Sequence, residues 1–140
     1  MKINGNDTLY NKAVFLGGTC ADSDWRSKLI PLFKGTVPFF APQLGPGEWN
    51  DAAAEAEDAC KMVCETRVFE LTPDSLSAYS GFEIGVLCSQ APKRIIFCAI
   101  GEFPENQVKG IQKIGRDVAK MGGTVCQTLS EIADLVNAKY

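Results

Sequence analysis

The sequence predicts a single α/β domain, a doubly wound sheet of five parallel strands in the order 2-1-3-4-5 with helices on both faces. Three observations predict it. Short continuous apolar runs alternate with longer stretches of helical period along the whole chain, the pattern of strands joined by crossover helices. The runs lack the in-out alternation of a sheet with one wet face, so each strand is expected to be buried on both sides. A chain of 140 residues, 46% of them hydrophobic, buries one core but not two, and residues 1–140 are read as one domain.

Met1 to Asn11 is a polar opening segment with no apolar stretch of a leader peptide. Ala13 to Leu16 is the first strand and runs into the turn Gly17-Gly18-Thr19. Asp22 or Ser23 can cap the next helix, which carries Trp25, Leu29, Ile30 and Phe33, and Pro31 inside it predicts a kink or early stop. Val37 to Phe40 is the second strand, followed by a turn-rich loop from Pro42. Glu48 to Cys64 is Ala-rich and favours a helix with a small-residue packing face. Arg67 to Leu71 is the third strand, ended by Thr72-Pro73-Asp74, and Ser80 or Gly81 opens a helix through Ile84, Leu87 and Cys88. Arg94 to Ile100 is the most apolar strand. Val108, Ile111, Ile114, Val118 and Met121 recur at steps of three or four, and Thr124 to Cys126 is the fifth strand. Thr128-Leu-Ser-Glu131 matches a capping box before Ile132, Leu135 and Val136.

Composition excludes several functions. Fourteen basic residues against seventeen acidic ones give a net charge of -3 and a pI near 5.0, which argues against a nucleic-acid polymer as partner. No stretch approaches the length of a spanning helix, so no membrane partner is expected. The absence of His removes the usual general base and the commonest metal ligand together. Six Cys show no C-x-x-C spacing; Cys60 and Cys64 fall at i, i+4 on a predicted helix, half a metal site at most, and buried reduced thiols in a cytoplasmic protein fit them best.

In a sheet of this order, ligands bind outside the carboxyl ends of the strands at the switch point, here between the first and third strands. The loops to watch are Gly17 to Trp25 and Thr72 to Glu83. Gly17, Gly18 and Thr19 can bring backbone amides close to a phosphate or sugar, or form a plain turn. They match neither a dinucleotide fingerprint nor a Walker loop, and no acid ends the second strand, so NAD and ATP are disfavoured. Glu83 falls in the first turn of the predicted helix, where free amides and the helix dipole would keep it ionised. Tyr79, Ser77 and Ser80 stand beside it. Cys20 follows the glycine turn but has no His to activate it. Trp25 and Trp49 can stack on a base or seal the edge of the core.

The segments Val14-Phe-Leu-Gly-Gly-Thr19, Asp24-Trp25-Arg26, Glu48-Trp49-Asn50, Leu71-Thr-Pro73, Tyr79-Ser80 and Phe82-Glu-Ile-Gly85 span most of the chain. Together they resemble the nucleoside 2-deoxyribosyltransferase-like family, which includes the deoxynucleoside 5'-monophosphate N-glycosidases. The resemblance implies that Glu83 is the nucleophile attacking the anomeric carbon, oriented by Tyr79. The family places an Asp at the start of the third strand; the corresponding residue here is Glu65, a longer carboxylate. The transferase branch has an Asp six residues before its nucleophile, where this chain has Ser77. That substitution resembles the hydrolase branch, in which the hydroxyl helps bind a 5'-phosphate.

The resemblance thus implies cleavage or transfer at the N-glycosidic bond of a nucleoside or nucleotide, with no metal or redox cofactor. Gly17, Gly18, Thr19, Asp24, Trp25, Trp49, Asn50, Ser77 and Ser80 would contact substrate. It also implies a homo-oligomer, with Phe103 to Gln107 and Tyr140 as candidate donors to a neighbour's site. The rival expectation is a binding module of the same fold that captures a nucleotide and turns nothing over.

Overall fold

The computed structural model describes residues 2–4, 12–20, 23–42, 50–73 and 78–140, with the backbone alone for residues 2–4. In chain order the elements are β1 (Lys2–Asn4), β2 (Val14–Gly18), α1 (Trp25–Leu29), β3 (Phe39–Ala41), α2 (Asp51–Val63), β4 (Thr66–Leu71), α3 (Ala78–Gln90), β5 (Ile95–Ala99), α4 (Glu105–Met121), β6 (Thr124–Cys126) and α5 (Leu129–Lys139). The sheet order is β1-β3-β2-β4-β5-β6. Its five parallel strands, β2 to β6, therefore stand in the order 2-1-3-4-5, as the alternating pattern requires. The addition is β1, which pairs antiparallel with β3 at the edge. Its three residues carry no periodicity that a sequence reading could detect.

Side-chain alternation along the strands divides the core. Phe15, Phe69 and Phe97 face one side, where Cys60, Cys64, Ile84, Leu87, Ile111 and Val118 cover them from α2, α3 and α4. Val14, Leu16, Val68, Ile96 and Cys98 face the other, under Trp25 and Leu29 of α1 and Ile132 and Val136 of α5. Phe15 stacks on Phe40 at 5.8 Å between centroids and lies tilted against Phe69 at 6.0 Å, which ties β3, β2 and β4 together on the first side.

Pro31 stops α1 after five residues and the chain continues as a 3-10 turn over Ile30–Leu32, because proline has no amide to donate and its ring clashes with the preceding turn. The capping box is observed, shifted by one donor. Thr128 Oγ1 accepts from Glu131 N at 3.2 Å, and the Glu131 carboxylate accepts from Gln127 N at 2.6 Å. Gly122 closes α4 with φ +105, and its amide reaches the carbonyls of Val118 and Ala119. No helix among the described residues is long and apolar enough to cross a membrane.

Candidate functional site

The chain leaves β2 for β3 on one side and returns to β4 on the other, so the switch point lies between β2 and β4, where Gly18 pairs with Glu70. The glycine turn there is internal. Gly18 has φ +103 and lies so close to β4 that a Cβ would stand 2.0 Å from the Glu70 carbonyl oxygen. The Thr19 amide donates to that carbonyl at 2.9 Å, and Thr19 Oγ1 accepts from Thr72 N at 3.0 Å. Thr19 is buried, and its amide is not free for a ligand. The expected cradle of Gly17 to Thr19 amides therefore loses that member, because the turn must first close the β2–β4 ladder.

Trp25 and Arg26 complete the turn. Trp25 Nε1 and Arg26 Nη1 both donate to the Thr19 carbonyl, at 2.8 and 2.7 Å, and Arg26 Nε donates to Leu16 O at 2.9 Å. Both side chains are buried, with the guanidinium 4.5 Å over the indole. Trp25 is thus a core residue and not a platform for a base. Asp24 is exposed and paired with Lys28, and exposed Asn50 caps α2 by accepting from Ala53 N at 2.9 Å. Trp49 and Ser77 lie outside the described residues, as does Asp22.

Behind the turn, Glu70 is fully buried, and neither carboxylate oxygen has a hydrogen-bond partner among the described residues. Burial pushes its carboxyl up to about 8, against the pull of Arg26, so it is largely protonated at neutral pH.

Glu83 is on the other face of the sheet and differs from its expected setting. Helix α3 begins at Ala78, not Ser80, so Glu83 sits beyond the first turn, which contains no acid. Free helix amides cannot hold a carboxylate there, since from the second turn on each amide bonds the preceding turn. A cation does it instead. Lys61, near the end of α2, makes an ion pair with Glu83 Oε1, and both side chains are buried. The same ammonium reaches Asp58 at 3.2 Å and Glu57 at 3.4 Å and lies 5.7 Å from the Phe15 ring centroid. Burial pulls Lys61 down, but Glu83, Glu57 and Asp58 together outweigh it and hold the ammonium above the usual lysine range. Burial raises the Glu57 carboxyl, with Lys61 opposing.

Tyr79 is 59% exposed, its ring 5.9 Å from the Lys61 ammonium and 6.1 Å from the exposed Phe82 ring. No hydrogen bond joins Tyr79 to Glu83 among the described residues; the partner of Glu83 there is Lys61. Ser80 is buried. Glu65 precedes β4 at its amino end, opposite the ligand crevice, half exposed and 3.4 Å from Lys139. The structure does not bring it to Glu83. Tyr140 is half buried against the α5 side of the core, and α4 begins at Glu105, within the segment Phe103 to Gln107. The described residues contain no group of three or more Cys, Asp or Glu side chains disposed to hold a metal.

A separate cavity of about 880 Å³ lies between β5, β6 and α4. Phe97, Phe103, Val108, Gly115 and Val125 line it, and Glu83 is not part of it.

The fold is similar to that of a conserved protein from Enterococcus faecalis V583, whose crystal structure matches with a TM-score of 0.53 and 12% identity over 92% of this chain and 99% of that one. No family model matches the sequence, and no curated protein matches it.

Proposed function

We propose that this chain cleaves, or transfers at, the N-glycosidic bond of a nucleoside or nucleoside 5'-monophosphate, preferably a 2'-deoxy one, with Glu83 as nucleophile. The observation that carries the reading is the charge around Glu83. One ammonium, Lys61, faces three carboxylates, Glu57, Asp58 and Glu83, beside an exposed tyrosine. Such an excess of negative charge stabilises a sugar ring that becomes cationic as the base departs. With Oε1 held by Lys61, Oε2 is the oxygen for attack on the anomeric carbon. The glycosyl ester would then pass to water or to a second base, as in a retaining glycosidase. A missing 2'-hydroxyl lowers the cost of the cationic state. A 5'-phosphate would have to sit away from Glu57 and Asp58, since like charges repel.

The test is incubation with a panel of nucleosides and their monophosphates, with free base measured by chromatography. Base release from at least one 2'-deoxy substrate is expected; none from any would overturn the reading.

A second reading, a nucleotide-binding protein without turnover, is favoured by the same ion pair, because a carboxylate already engaged by Lys61 can be purely structural. Thermal shifts with the panel and no base release would select it.

A further inference from the structure

Cys60 and Cys64 lie one helical turn apart, both buried, with their sulfurs 3.7 Å from each other. The backbone bond from Cys64 N to Cys60 O, 3.0 Å, is the last of α2 and spans the same two residues. Lys61, which holds Glu83, is inside that turn. From this geometry we infer that Cys60 and Cys64 are a modification site, a dithiol that hydrogen peroxide or a disulfide-forming oxidant closes into an intrahelical disulfide, opening the last turn of α2 and releasing Lys61 from Glu83.

The opening follows from dimensions. Residues i and i+4 of a helix have Cβ atoms about 5–6 Å apart. A disulfide needs about 3.5–4.5 Å between Cβ atoms and about 2.05 Å between sulfurs. The sulfurs already face each other, so the backbone of the turn must give way. It is the part of α2 able to do so, because the Met62 and Val63 side chains are exposed and, beyond the backbone bond to Cys60, the turn is tied by the Arg67 guanidinium donating to Met62 O at 2.8 Å, a contact that opening must also break. A bond made against such strain is easily reduced, as a reversible modification requires.

The chemistry balances with peroxide as the named oxidant. The hydrogen bond shared between the two sulfurs holds the Cys60 thiol below its ordinary value against burial, so Cys60 is the thiol that ionises first. Its thiolate attacks one peroxide oxygen, the O–O bond breaks, and the other oxygen leaves as hydroxide, which takes up the Cys60 proton as water. The Cys64 sulfur then attacks the Cys60 sulfenic acid, an S–S bond forms, and the hydroxyl leaves with the Cys64 proton as a second water. Two thiols lose two electrons and one peroxide gains them.

The modification stands apart from the glycosidic reading; only its effect on turnover rests on that reading. Cys20 is the exposed thiol, so the experiment uses the full chain as Cys20→Ser, treated with hydrogen peroxide and then alkylated. The expected product is lighter by two hydrogens, with Cys60 and Cys64 protected from alkylation. Trypsin cuts after Lys61 yet leaves the two cysteine peptides joined until dithiothreitol is added. Acylation of Lys61, slow in the reduced protein, should rise roughly tenfold or more on oxidation and fall again on reduction. Alkylation of both cysteines after treatment, or their conversion to sulfinic acids, would overturn the site. A disulfide with Lys61 acylation unchanged would overturn the coupling. Neither readout uses catalysis, so failure of base release in the untreated chain would count against the proposed function and leave this inference standing.

Discussion

Lys61 changes the chemistry of Glu83 more than any residue the motifs point to. Its ammonium lies near the Phe15 ring and is shared among three carboxylates, an arrangement that orders Glu83 without helix amides. Two outcomes follow at this scale. On the proposed reading Glu83→Ala should reduce base release at least ~10³-fold per folded molecule, and the variant should also unfold at lower urea because it leaves the buried Lys61 ammonium without its nearest carboxylate; retained turnover would sink the mechanism. Lys61→Met should reduce base release roughly 10- to 100-fold through kcat with KM little changed, because Glu83 then loses the cation that fixes its Oε1. A purely structural lysine would leave kcat per folded molecule unchanged. Glu83 itself was legible, as an acid within a glycine-flanked segment after a strand. Lys61 was not, because it comes from another helix and only packing shows that it, among the lysines, meets Glu83. Arg26 was legible as part of a motif but not in its role, since nothing in Asp24-Trp25-Arg26 says that the guanidinium turns inward to the Thr19 carbonyl.

Among the elements, the turn after β2 shows how a glycine pair can be read two ways. A Cβ on Gly18 would strike the Glu70 backbone, and a positive φ is strained for any side chain. Gly18→Ala should therefore cost at least about 2 kcal/mol in urea unfolding. Gly110→Ala in α4, where a Cβ meets open space, should be neutral or stabilising by up to about 1 kcal/mol. Equal effects at the two sites would show that the turn is not held by its approach to β4. Strand and helix types were legible where the apolar period was strong, as in α4, and at Pro31, whose missing amide is a local fact. Boundaries were not. Helix α3 runs from Ala78, two residues before the expected start, and that places Glu83 beyond the first turn. Tyr79 and Phe82 show the same limit, since periodicity places them on one face of α3 but does not say that the face is exposed.

At the scale of the whole molecule, the strand order was legible because five short apolar runs joined by helices have few ways to form one sheet with both faces covered. What such reasoning does not reach is the cost hidden inside the sheet, and Glu70 carries it. The sequence reads Arg67 to Leu71 as a strand buried on both sides, which makes an acid at position 70 a local conflict. The structure leaves that conflict in place, with both oxygens unpartnered among the described residues and the carboxyl pushed up to about 8 from an ordinary 4.5, burial outweighing Arg26. The folded chain keeps a proton that the unfolded chain releases between these two values. Stability contributed by this group is therefore full below about pH 4.5, falls as pH rises, and is lost above about pH 8. Glu70→Gln has the shape of the protonated acid and cannot ionise. The difference in melting temperature between the two proteins isolates this carboxyl from Glu57 and from the Lys61 ion pairs, which both share. The variant should match the native chain near pH 5 and melt higher by roughly 5–10 °C at pH 8.5, the consequence of a few kcal/mol in a domain of this size. Parallel melting curves across that range would mean that Arg26 keeps Glu70 ionised, and the buried pair would then be an ion pair holding the switch point together.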